Sequence, residues 1–413
     1  MCTHELRHWL RSPQLRTFPF DQVVRHFHEV GKHFVAAELL DLLARARQLL
    51  PSLPGPWPQL RTLASFLDTA LDKPDGRYDY GTYLGLSLLQ VPHVDDPVEQ
   101  APFARTRCDR LSAQLLADAL AFELVAAEEG ATLLPAMRPA PDLVTKRHKH
   151  GLRVLRPILV RMNLERALTG TAPEELARQA ADAVHADMSM TEQRAIQLSV
   201  LPVYTAHDEY LFLRVLQTFE TTFALLAVQL RAVIAAFAER RVDEAVHFLS
   251  VSATALSESA PLFSMLATMQ VESFRTFRQF TEGASAIQST SYKILESLCR
   301  RPDEDRLDSP AYHSVPPVRQ RVLDGQATLD DAYREAVDSG DLDPRDHDRL
   351  AEAMSSFAHG LLRWRNTHYR LAVRMLGEAS GTGYTQGTPY LNAVRDIPVF
   401  RTVTDTENTA RTS

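Results

Sequence analysis

Cysteine is scarce in this chain: three residues in 413, Cys2, Cys108 and Cys299, far apart and forming neither C-x-x-C nor C-x-x-C-H. That spacing excludes a disulfide framework, a zinc ribbon and covalent c-type haem attachment, and it suits a reducing compartment, the cytoplasm. The opening MCTHELRHWLRSPQ lacks the apolar run of a signal peptide, and the most apolar long stretch, 203–238, is interrupted by Arg214, Glu220 and Arg231. The expectation is therefore no export and no membrane span. A surplus of basic charge is missing too, since the formal net charge is -7, so nothing global points to nucleic acid or an anionic surface.

Alternation with a period of two, bounded by turn residues, is also hard to find, whereas helical periodicity dominates and predicts an all-α fold. With 45% hydrophobic residues the chain can bury a substantial core. Helices are expected over about 20–50, 61–72, 108–185, 203–240, 243–280, 284–300 and 318–376. The proline-rich LPSLPGPWPQL breaks the first pair, and the Gly- and Thr-rich stretch after 376 reads as loop.

Three local patterns carry less than they suggest. HFHEVGKH places His28 and His33 five apart, so on a helix they diverge by more than a right angle, unlike the i, i+4 pair of a zinc helix; both read as solvated. SGTGYTQGT has the glycines of a phosphate loop but follows a long helix with no preceding strand. The basic run KRHKHGLR, on an acidic chain, reads as a solvated face.

One helix does carry chemistry. In RLAEAMSSFAHGLLRWRNTHYRLAVRMLG the apolar positions Leu350, Met354, Phe357, Leu361, Trp364, Leu371 and Met375 form one stripe, and that stripe passes through His368. From this helix alone two readings are open. Either His368 is a core histidine satisfied by a neighbouring carbonyl, or it is an axial ligand to a buried metal, most naturally haem iron.

Four motifs in order add weight to the second. WRNTHYRLAVRMLG with GTGYTQGTPYL resembles the proximal-histidine helix and substrate loop of the tryptophan 2,3-dioxygenase family. HDEYLFLRVLQTFETTF resembles that family's distal helix, FRQFTEGASAIQSTSYKILE its F-R-x-x-x-x-x-A-S-G-F-Q-S segment, and YGTYLGL its entry motif. The resemblance covers mainly residues 78–90 and 203–391. It implies an all-α haem-dioxygenase fold with a helical extension (1–77), the entry-motif helix (78–91), a helical insertion (92–202), the haem- and substrate-binding core (203–391) and a tail (392–413).

Residue by residue, the resemblance implies His368 as proximal ligand of haem b and Arg278 as the clamp on a substrate carboxylate. Thr382 would contact the amino or carboxylate group, and Phe212 would line the aromatic pocket. Tyr80, Tyr83 and Leu84 match positions that close the family's site from a neighbouring subunit, which implies a homo-oligomer, a dimer or tetramer. His207, Asp208 and Glu209 read as a helix start, with acids near the positive dipole end. The implied reaction uses O2 to open the C2–C3 bond of L-tryptophan or a close analogue, giving N-formylkynurenine.

Departures from the pattern keep alternatives open. Leu216 stands where the family has a distal histidine before Gln217, and a leucine can neither accept a hydrogen bond nor act as a base, so no acid/base residue is assigned. Arg214 stands at a usually apolar position and requires an anionic partner if buried. Ala286, Tyr384 and Gln386 replace glycines. The alternatives are a haem oxygenase acting on another aromatic amino acid, including by monooxygenation in specialised metabolism, and a non-catalytic haem-binding sensor.

Overall fold

The computed structural model describes residues 2–92, 97–128, 132–340, 342–377 and 388–403. Its helical content is 74%, with no strand or sheet among the described residues, so the chain is all-α as its periodicity predicts. Among the described residues the lone β-type feature is an isolated bridge between Ala136 and Ala206. The long helices are Pro97–Ala126, Pro141–Arg161, His207–Ala238, Val242–Ser259 and Pro344–Leu376. Proline in the first turn starts several of them at no hydrogen-bonding cost, and Asp343 caps the last by accepting from the Asp346 N–H at 2.9 Å. A short helix, Thr388–Arg395, forms where the Gly- and Thr-rich stretch reads as loop. Proline at the second position and the apolar residues Tyr390, Leu391 and Val394 give that segment its helical start and spacing.

The chain divides into two compact units. Unit 1 comprises Met1–Gln90, Leu111–Thr218 and Ser264–Ala286; unit 2 comprises Val91–Arg110, Phe219–Phe263 and Ile287–Ser413. The His207–Ala238 helix supplies both. It is long and apolar enough to cross a membrane by composition, yet it is mostly buried in the protein, as a core helix is.

Unit 1 has two apolar clusters. The first gathers the N-terminal helices around Leu6, Phe27, Leu43 and Phe66 and includes Leu88, Leu198 and Leu201. The N-terminal segment approaches the 200–204 stretch closely: Gly31 has φ +81°, and a Cβ there would lie 2.8 Å from the Val203 carbonyl oxygen. The second cluster centres on Tyr80, Tyr83, Leu84, Phe122 and Leu213.

In unit 2, Leu350, Met354, Phe357 and Leu361 are fully buried along one side of Pro344–Leu376, so the stripe read from the sequence is the core face of that helix. Gly360 lets it approach Val242–Ser259, since a Cβ there would already sit 3.3 Å from Leu256. A buried ionic group completes this unit. Arg306 Nη2 donates to both carboxylate oxygens of Glu296, at 3.0 and 3.1 Å, beside Lys293 and Arg365. Burial alone would raise the Glu296 carboxyl, but Arg306, Lys293 and Arg365 hold it at about 2.

Candidate active site

The acidic head of the His207–Ala238 helix is the helix start that its sequence suggests, with Asp208 and Glu209 in the first turn. His207, Asp208 and Glu209 are all buried, and the long helices Pro97–Ala126 and Pro141–Arg161 bring the first two their partners. The Arg147 guanidinium donates to Glu123 at 2.7 Å, to Asp208 and, through Nε, to the Thr268 hydroxyl at 3.2 Å. Glu123 also meets His207 Nε2 at 3.0 Å, and Asp208 accepts from the Gln270 N–H at 2.7 Å. Arg147 and His148 thus turn inward from the basic run, while Lys146 and Lys149 remain exposed, so that run is only in part a solvated face. His28 departs from its reading as well: it is partly buried, with Nε2 bonded to the Val200 carbonyl at 2.9 Å.

Glu209 lies deeper still. Its carboxyl accepts from the Val203 and Tyr204 N–H groups at 2.6 and 3.0 Å and from the Tyr83 hydroxyl at 3.1 Å. Burial pushes it up to about 8 despite those donors. Arg214, one turn further on, has the anionic partner that its burial demands: Nε donates to Asp118 at 2.7 Å, and the remaining N–H groups reach Ser199, Gln217 and the Ile196 carbonyl, each at 2.9 Å. Gln217 in turn donates to the carbonyls of Leu84 and Ser199 at 2.7 and 2.9 Å, which ties the entry motif to this helix.

Phe212 and Leu216, four apart, share the side of the helix that stays partly accessible. Phe212 packs against Phe274 and Phe277, with ring centroids 5.7 and 5.5 Å apart, and both rings lie on the short helix Val271–Arg278 that ends in Arg278. Phe274 and Phe277 escape the sequence reading, although FRTFRQF spaces its aromatics three apart, as one helix face requires. Partial burial lowers the Arg278 pKa from its ordinary value without threatening its charge. Two residues on, Phe280 stacks on Tyr204 at 5.2 Å and its carbonyl accepts from Lys73 at 2.9 Å, which anchors the turn after Arg278. Tyr80, Tyr83 and Leu84 are buried in the same cluster against which Phe212 and Leu216 pack, all within one chain.

His368 belongs to unit 2. Its nearest rings are Trp364, with centroids 5.2 Å apart, and Phe263 at 6.4 Å. Trp364 is itself enclosed by Phe219, Phe223, Phe263 and Tyr292, all within 5.6 Å, so the phenylalanines at 219 and 223 are core residues. Desolvation by these rings drives the imidazole down to about 4, leaving it neutral at ordinary pH. Among the described residues it has no hydrogen-bond partner, though part of its surface stays accessible. A neutral imidazole among aromatic rings, with a lone pair that no described residue takes, fits the axial ligand of haem. No group of three or more His, Cys, Asp or Glu among the described residues is arranged to hold a metal ion by itself. Thr382, with Tyr384 and Gln386, lies outside the described residues.

Residues 172–314 match the model of the family described as tryptophan 2,3-dioxygenase. That span holds Phe212, Leu216 and Arg278, while His368 lies beyond it. Similar proteins include the tryptophan 2,3-dioxygenases of Burkholderia mallei (strain SAVP1) and Burkholderia pseudomallei (strain 668). Each is 24% identical over 254 residues, which cover 52% of this chain and 83% of the relative. Motifs and matches point the same way: the chain is similar to tryptophan 2,3-dioxygenases, at 24% identity over about half of its length.

Proposed function

We propose that the chain is a haem-dependent dioxygenase that opens the C2–C3 bond of the indole ring of L-tryptophan or a close analogue, giving an N-formylkynurenine-type product. The observation that carries this reading is His368: a neutral, ring-enclosed imidazole without a hydrogen-bond partner among the described residues, on a helix that resembles the family's proximal helix. Similarity to named dioxygenases supports the same class of oxidoreductase.

Haem b, when bound, supplies the iron and the oxygen chemistry that no side chain can provide. The chain's own residues do the rest. His368 would hold the iron through its neutral ring. Arg278 would grip the substrate carboxylate with two parallel N–H donors, and Thr382 would contact its amino or carboxylate group. Phe212 would flank the aromatic ring, with Tyr80, Tyr83 and Leu84 behind it. Such fixed placement supplies a large share of the acceleration expected of an enzyme that lacks a side-chain base. Leu216 takes no proton from an indole N–H and accepts no bond from it. That residue favours a second reading, oxygenation of another aromatic amino acid with insertion of one oxygen atom. A homo-oligomer, dimer or tetramer, and a cytoplasmic location belong to the proposal on resemblance alone.

The experiment is aerobic turnover of the reduced, haem-supplemented protein with L-tryptophan, followed by mass spectrometry. A product heavier by two oxygen atoms is expected. A product heavier by one oxygen, from tryptophan or another aromatic amino acid, would replace cleavage by monooxygenation. Haem binding without product from any of a panel of aromatic amino acids would contradict the enzyme reading and favour a sensor.

A further inference from the structure

Unit 1 contains a cavity of about 330 Å³ that the proposed reaction does not use. Three parts of the chain build it: His28 from the N-terminal helices, Asp118 and the 181–197 segment from the inserted block, and Tyr210 from the His207–Ala238 helix. Tyr210, which lines the cavity, is two residues from Phe212, so on the helix the two side chains leave about 200° apart. The cavity is therefore on the opposite side of this helix from the residues assigned to the aromatic substrate. Its size is at the lower end of small-molecule sites.

The polar inventory of the wall is one-sided. Asp118 Oδ2 accepts from both Tyr210, at 2.6 Å, and Arg214, at 2.7 Å, which leaves Oδ1 as an acceptor. The His28 Nε2 bond to the Val200 carbonyl places the proton on that nitrogen, so Nδ1 keeps its lone pair. Gln193 spends its amide nitrogen on the carbonyls of His185 and Met188, each at 3.3 Å, leaving its oxygen. Gln114 and Gln197 likewise donate outward, to Glu192 and Asp21 at 2.9 Å. The cation on the wall, Arg194, is engaged by Asp21 and Gln197 at 2.6 and 2.7 Å. Acceptors therefore exceed donors in this cavity. Between them lie alanines at 117, 121 and 181, and at the mouth stands Met190, 77% exposed, an adaptable apolar side chain with no role in the core.

We infer that this cavity is a second ligand site, for a small primary ammonium with an apolar body. Three N–H donors of the ammonium match three acceptors, Asp118 Oδ1, His28 Nδ1 and Gln193 Oε1, while the alanine wall and the methionines receive the body. The inserted block and the N-terminal helices, which the substrate residues do not explain, thereby gain a binding role.

Calorimetric titration of the full chain with phenethylamine, and separately with 3-phenylpropionate, tests this. The amine binds saturably at one site and the carboxylate does not. Ala121→Phe, which fills the cavity, and Gln193→Lys, which keeps a donor toward the two carbonyls but adds a cation, each weaken the amine at least about tenfold. Should Ala121→Phe fail to fold, Gln193→Lys decides. No saturable binding of the amine, equal binding of the carboxylate, or an affinity indifferent to Gln193→Lys would overturn the inference. Because neither variant touches Phe212, Arg278 or His368, failure here leaves the oxygenase reading standing.

Discussion

The head of the His207–Ala238 helix in unit 1 and the His368 turn of Pro344–Leu376 in unit 2 both withdraw polar side chains from water, and they resolve the cost in opposite ways. At the head in unit 1 the buried guanidiniums have carboxylate partners: Arg147 joins Glu123 and Asp208, and Arg214 joins Asp118. In unit 2 the imidazole has aromatic neighbours and, among the described residues, no acceptor or donor. A buried polar group with its bonds saturated is explained by the fold, because leaving it unsaturated costs about 1–3 kcal/mol. One left open is instead a candidate for an exogenous partner. His207 Nδ1 and Trp364 Nε1 are also buried without a partner among the described residues. It is therefore the open imidazole together with its place on the helix that resembles the family's proximal helix that singles out His368 as the residue proposed to hold iron.

The contrast can be broken first at Arg147. Arg147→Met keeps the volume but strands Glu123 and Asp208 in an apolar interior, and the expected loss is about 3–5 kcal/mol, read as a lower urea midpoint. An unchanged midpoint would mean that the network is not structural.

A smaller effect is expected at Glu209. Its carboxyl, held at about 8 in the fold against 4.5 for the free group, stays protonated across the intervening range. Its contribution is therefore fully present below 4.5 and is lost as pH rises through about 8. Glu209→Gln removes the titrating group, so the stability of the variant relative to wild type should rise between about pH 5 and pH 8.5, by a few kcal/mol at most. Parallel pH profiles for the two proteins would refute the burial-driven shift.

Smallest in energy, and specific to the proposed chemistry, is Arg278→Ala. KM for an amino-acid substrate should rise by roughly 10–100-fold, with haem content intact. Unchanged kinetics would remove the carboxylate clamp.

Much of the architecture was legible because helical periodicity is local. Leu350, Met354, Phe357 and Leu361 are a core stripe in sequence and in structure alike. What the sequence hid is long-range pairing. Glu123 and Arg147 stand 84 and 61 positions from the His207 and Asp208 they contact, and no local pattern announces such partners. For the same reason the sequence shows the acidic head as a helix start but not its buried partners, and Arg147 as part of a solvated run. Asp118, 96 positions from Arg214, was equally invisible, although the need for an anion at Arg214 was plain. The helix Thr388–Arg395 was missed because the glycines and threonines before it dominate the composition of that stretch.

The most direct test of the central claim is the optical spectrum of the haem-supplemented protein beside that of His368→Ala, with circular dichroism to verify that both are folded. The account predicts a Soret band in the wild type that shifts on reduction, and its loss or displacement in the folded variant. A wild type that takes up no haem, or a variant whose spectrum is the same as the wild type's, would contradict the assignment of His368 as the iron ligand.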